Sequence, residues 1–85
     1  MLAFPEKKHA YISSHPEVCG GEPVIEGTRM TVRAVSNYIL HQGLTPEELV
    51  SEFQHINIAQ VYDALSYYYD HRKEIEKLSH EHQNK

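Results

Sequence analysis

The chain has 85 residues, 40% of them hydrophobic, and carries 8 Lys+Arg against 12 Asp+Glu, a formal net charge of −4 with its seven histidines neutral. That size allows one small domain and excludes a multidomain enzyme, while the acidic balance argues against a general polyanion binder. A lone cysteine, Cys19, excludes an intrachain disulfide and fits a reducing compartment. Residues 1–8 hold no apolar run long enough for a signal peptide or a membrane span, so a cytoplasmic location is expected.

Three parts are expected: an N-terminal arm over 1–8, a single domain over 9–79 and a polar tail over 80–85. In the domain, Tyr11-Ile12 reads as a short strand, and Pro16, Gly20-Gly21 and Pro23 break any helix after it. Val24-Ile25 and Met30-Thr31-Val32 are short apolar or β-branched pieces around Glu26-Gly27-Thr28-Arg29. They predict a small hairpin with a positive φ at Gly27. From Thr31 the period lengthens. Val32, Val35 and Ile39, with Tyr38 and Leu40, make one face of a first helix that Thr31 caps and Gly43 closes.

Thr45-Pro46-Glu47-Glu48 has a capping hydroxyl, a proline at the first helical position and a glutamate placed to reach back, with Leu44 and Leu49 as a hydrophobic staple. The short second helix runs through Leu49, Val50 and Phe53. Asn57, with Gln60 three residues on, starts a third. There Ile58, Val61, Tyr62, Leu65, Tyr68 and Tyr69 repeat on one face, and Ile75 and Leu78 extend the pattern to about residue 79. The spacing predicts Tyr62, Tyr68 and Tyr69 in the core, while Tyr67 faces elsewhere, exposed or stacked on a partner. Helix, short turn, helix is the spacing of a helix-turn-helix, and also of many helix pairs that never touch DNA.

Catalysis finds little support. Cys19 has no general base at a fixed spacing, and Gly20-Gly21 lacks the residues of a phosphate loop. The histidines show no metal-ligand spacing and read as surface groups, so neither metal nor cofactor is expected. Charge is distributed unevenly. Residues 41–70 hold Glu47, Glu48, Glu52, Asp63 and Asp70 and neither Lys nor Arg. Arg29 and Arg33 are the basic residues nearest this stretch on its N-terminal side. Arg29 either pairs within its turn or meets phosphate; Arg33 lies on the polar side of the first helix.

The run Ile12-Ser13-Ser14-His15-Pro16-Glu17-Val18-Cys19-Gly20-Gly21-Glu22-Pro23-Val24-Ile25-Glu26-Gly27-Thr28-Arg29-Met30-Thr31-Val32 resembles the opening signature of the domain-of-unknown-function 433 family. Gly43 to Leu49, followed by Ile58 to Tyr68, resembles its later part. The sequence differs at Gln54, where the family commonly has proline. The resemblance implies a mainly α, homeodomain-like three-helix helix-turn-helix (winged-helix-like) with a short N-terminal β-hairpin, usually dimeric. It further implies an antitoxin, similar to VapB-type partners, that binds and neutralises a PIN-like toxin nuclease and binds its own operator DNA.

On that analogy Asn57 and Gln60 would read bases while Arg29 and Arg33 meet phosphates. Tyr67, Arg72, Ile75 and Leu78 would form the arm that docks on the toxin. The alternative is an acidic protein-protein interaction module that keeps the helix-turn-helix shape without DNA binding. Five acids and no base on a groove-facing unit favour it, because phosphate contacts supply most non-specific affinity.

Overall fold

The computed structural model describes residues 8–83, which form a mainly helical unit with a small sheet. Of the expected arm only Lys8 lies within them, and of the tail, residues 80–83. In chain order the elements are β1 (Ile12–Ser13), a 3-10 turn (Cys19–Gly21), β2 (Val24–Ile25), α1 (Val32–Ser36), α2 (Pro46–Glu52), α3 (Ile58–Asp70) and α4 (Arg72–Gln83). The described residues therefore hold four α-helices where three were expected.

β1 and β2 pair antiparallel, Ile12 opposite Ile25 and Ser13 opposite Val24. The expected hairpin is reduced to a single bridge between Val24 and Thr31, so β2 takes its main partner from the segment before it. Gly27 does adopt a positive φ of 83°, and Thr28 holds the turn by donating its hydroxyl to the Ile25 carbonyl at 2.8 Å.

Thr31 caps α1, its Oγ1 accepting the Ala34 N–H at 2.9 Å. The helix then loosens into a π-helical turn over Asn37–His41, and Gly43 (φ 81°) ends it. Leu40, expected on the inner face, is 41% exposed, because the wider turn rotates it outward. At α2 the capping box is complete: Glu48 N–H donates to Thr45 Oγ1 at 3.0 Å and Thr45 N–H to Glu48 Oε1 at 2.9 Å. Asn57 and Gln60 repeat the device at α3, at 2.9 and 2.8 Å. Each cap contributes about 1 kcal/mol.

The expected single long helix is broken. His71 leaves helical geometry (φ −129°, ψ 40°), its N–H shared between the Tyr67 and Tyr68 carbonyls. The His71 ring meets the same Tyr67 carbonyl through Nδ1 at 3.1 Å. The break turns α4 back so that Ile75 enters the core at 2% exposure. Across the junction the Tyr68 hydroxyl donates to Glu76 Oε2 at 2.6 Å, and Arg72 Nε donates to the same oxygen at 3.1 Å. α4 continues through Gln83, into what reads in sequence as the tail.

The core joins Ile12 and Ile25 from the sheet, Val32 and Val35 from α1, Leu49 from α2, Ile56, Val61, Ala64 and Tyr68 at α3, and Ile75 from α4. Each fully buried aliphatic side chain contributes roughly 1.5–3 kcal/mol. No helix among the described residues is long and apolar enough to cross a membrane.

Candidate functional site

α3 is the organising element, because α1, α2, α4 and β1 all pack against it. Its inward side is Val61, Ala64 and Tyr68, at 0%, 0% and 4% exposure. The i, i+3, i+7 spacing of those three turns the longer stripe of Ile58, Tyr62 and Tyr69 away from the core. Those side chains are 36%, 52% and 58% exposed, so Tyr68 alone of the three expected core tyrosines is inside.

The flank of α3 carrying Asp63, Tyr67 and Asp70 holds the start of the described chain. His9 is buried between the two carboxylates, with Nδ1 3.1 Å from Asp63 Oδ1 and Nε2 2.8 Å from Asp70 Oδ2. The clamp is reinforced on both sides. Tyr11 N–H donates to the second oxygen of Asp63 at 2.8 Å, and Lys8 Nζ lies 3.3 Å from Asp70 Oδ2.

Tyr67 sits between the acids, edge-on to His9 at 5.2 Å and stacked on His71 at 4.0 Å. Burial, then the charge of Glu74, raises the Tyr67 hydroxyl above its ordinary pKa. The His9 bond, followed by Lys8, holds the Asp70 carboxyl below its usual value.

His9 does not fit the expectation of surface histidines. Its partners lie 54 and 61 residues away, beyond any local pattern. The available signal was two acids seven residues apart on a helix in a stretch without Lys or Arg, which calls for a cation from elsewhere in the chain.

Three of the four expected nucleic-acid residues are engaged internally. Arg33 forms a two-point pair with Glu22, Nε to Oε1 at 3.0 Å and Nη2 to Oε2 at 3.1 Å, with the Glu22 side chain only 9% exposed. Asn57 and Gln60 direct their side-chain oxygens to each other's backbone in the capping box. Arg29 stands exposed, and its carbonyl accepts the Cys19 thiol at 3.4 Å.

Of the expected docking arm, Ile75 is core, Leu78 packs against it, Tyr67 lies in the clamp and Arg72 is exposed beside Glu76. The four do not form one surface patch. Among the described residues no group of three or more His, Cys, Asp or Glu side chains is placed to hold a metal ion.

The structure thus defines a small, mainly α domain with a two-stranded antiparallel sheet, organised around one capped central helix. Residues 12–68 match the family described as protein of unknown function (DUF433), and the chain belongs to that family. It is similar to a crystal structure of a DUF433 member protein from Anabaena variabilis ATCC 29413, at 28% sequence identity and a TM-score of 0.73. The similarity covers 79% of this chain, and the chain spans 65% of the length of that one. No curated protein matches it significantly.

Proposed function

We propose that the chain is an antitoxin-type interaction protein that binds and neutralises a PIN-like toxin nuclease, with α2 and α3 serving as a helix-turn-helix turned to protein contact. One observation supports the choice of protein over DNA: three of the four side chains expected to contact DNA are engaged within the fold. Arg33 is held by Glu22, and Asn57 and Gln60 close a capping box. Meanwhile α2 presents Glu47 and Glu52 to solvent from a stretch without Lys or Arg. A nuclease groove is basic, so acidic side chains on a rigid helix steer its approach and compete with its substrate. The role is binding in the cytoplasm, without catalysis.

The test is inhibition of the ribonuclease activity of a purified PIN-like protein from the same genome, on titration with the purified chain. Stoichiometric inhibition that is lost in Glu47→Lys/Glu52→Lys supports the reading. Full nuclease activity at saturating chain refutes it.

Operator DNA is a second reading, favoured by the exposed position of Arg29 and by a link of only five residues, 53–57, between α2 and α3. Fluorescence anisotropy with the DNA upstream of the gene, at low and physiological salt, decides it. Arg29→Glu is the informative variant.

A further inference from the structure

Between α2 and the π-helical turn over Asn37–His41 lies an open cleft of about 500 Å³. Its floor is apolar and aromatic. Tyr38, Leu44 and Phe53 are each half-buried there, the two rings 5.4 Å apart and tilted by 50°. Its rim is acidic, because Glu48 and Glu52 stand about one turn apart on α2. We propose that this cleft receives one arginine side chain of a protein partner, its guanidinium stacked on the rings and forked onto the glutamates.

Charge selects a cation. Glu48 and Glu52 repel each other at this spacing, and residues 41–70 offer neither Lys nor Arg to stand between them. Glu48 gives its Oε1 to the Thr45 N–H of the capping box. Among the described residues no ion pair reaches either carboxylate. No group of side chains placed to hold a metal ion forms among them either, which leaves an organic cation.

The aromatic floor selects which cation. A guanidinium is planar and weakly hydrated, stacks on aromatic faces, and meets carboxylates through two parallel N–H bonds. A lysine ammonium is compact and strongly hydrated, and in a cleft open to solvent it keeps its water. Leu44 offers apolar surface to the alkyl stem. Tyr38 reaches the cleft from a π-helical turn, a rare geometry that is frequent at functional sites. The open side favours a residue carried on a backbone over a free molecule, which binds best where most of its surface is enclosed. The inference deepens the proposed function and rests on it for the origin of the arginine, which a basic nuclease groove supplies.

The test needs no nuclease. Amide NMR spectra of the full chain are followed on titration to about 20 mM with acetyl-Gly-Arg-Gly-amide and its citrulline and lysine counterparts. The arginine peptide is expected to bind in the millimolar range, with shifts centred on Tyr38, Leu44 and Phe53. Citrulline keeps the shape and loses the charge, and should bind at least about tenfold more weakly. Lysine should bind about threefold more weakly.

Glu48→Gln/Glu52→Gln should weaken the arginine peptide at least about tenfold. The pair spares the fold, since glutamine serves the capping box as glutamate does and Glu52 is exposed. Phe53→Leu removes a ring and should bring arginine and lysine to equal affinity. The amide spectrum itself reports whether each variant is folded. Shifts that fail to saturate overturn the proposal, as do an equal response to citrulline and binding unchanged in the double glutamine variant. Lysine bound as tightly as arginine by the wild-type chain removes the guanidinium assignment. If the peptide binds and the nuclease stays fully active, the proposed function fails and the cleft stands. If the nuclease is inhibited and the peptide does not bind, the reverse holds.

Discussion

The two flanks of α3 differ in what answers them. On one, Asp63 and Asp70 sit two turns apart and a buried histidine from the start of the chain bridges them. On the other, two tyrosines and an isoleucine stand exposed with no charge among them. The same helix therefore spends one side on intramolecular electrostatics and, among the described residues, presents the other as an exposed uncharged stripe. An acid on a helix surface ordinarily serves solubility. Here the acids fasten a distant segment, and the side most open to solvent is the one that lacks charge.

The comparison breaks most severely at the inward side between the flanks. Val61→Ala should cost about 2 kcal/mol by urea denaturation, because the site is fully buried and the lost methyls leave a cavity. The clamp comes next. His9→Ala should destabilise by about 1–2 kcal/mol, since it removes the buried ring that Asp63 and Asp70 share and leaves them only Tyr11 N–H and Lys8, and His9→Gln should recover part of the loss. Arg33→Ala should fall in a similar range by removing the two-point pair with the buried Glu22 carboxylate. Arg33→Glu, which sets two carboxylates against each other, should fail to fold, so Arg29 is the residue with which to probe DNA.

A pH titration sharpens the contrast. The Asp70 carboxyl is held below its unfolded value of 3.8, so its contribution is complete above that value and is lost as pH falls through the depressed folded value. Glu76 behaves alike through Tyr68 and Arg72. The urea midpoint should therefore fall in strong acid, and Asp70→Asn should flatten part of that fall while leaving the Glu76 share. In the alkaline range the Tyr68 hydroxyl, raised chiefly by its bond to Glu76, contributes below its unfolded value of 10.0 and loses that contribution as pH rises through its folded value.

The smallest effects belong to the uncharged flank. Tyr62→Ser and Tyr69→Ser should each change stability by less than about 0.5 kcal/mol, as exposed substitutions do. A larger loss would mean that the stripe serves the fold.

Signals contained within a few residues were legible. Thr31, the Thr45–Glu48 box, the Asn57–Gln60 box, the turn at Gly27 and the stop at Gly43 all stand as the spacing implies, because a cap or tight turn is decided by neighbours in sequence. The direction of α3 was harder to read. Its apolar residues extend around more than half the helix, so periodicity admits two inward faces, and the sheet, α1 and α2 select Val61, Ala64 and Tyr68. The same contacts set the break at His71, since a straight helix would carry Ile75 past the core.

By itself, then, the sequence determined where the first three helices begin, where turns fall, and that the stretch from 41 to 70 is acidic. Tertiary structure alone decided which side of α3 is buried, that His9 closes on Asp63 and Asp70, and that Arg33 is held by Glu22. The reason is range. Caps and turns are settled by hydrogen bonds spanning three or four residues, whereas pairing a side chain with one 54 or 61 residues away requires the packed core to bring them together.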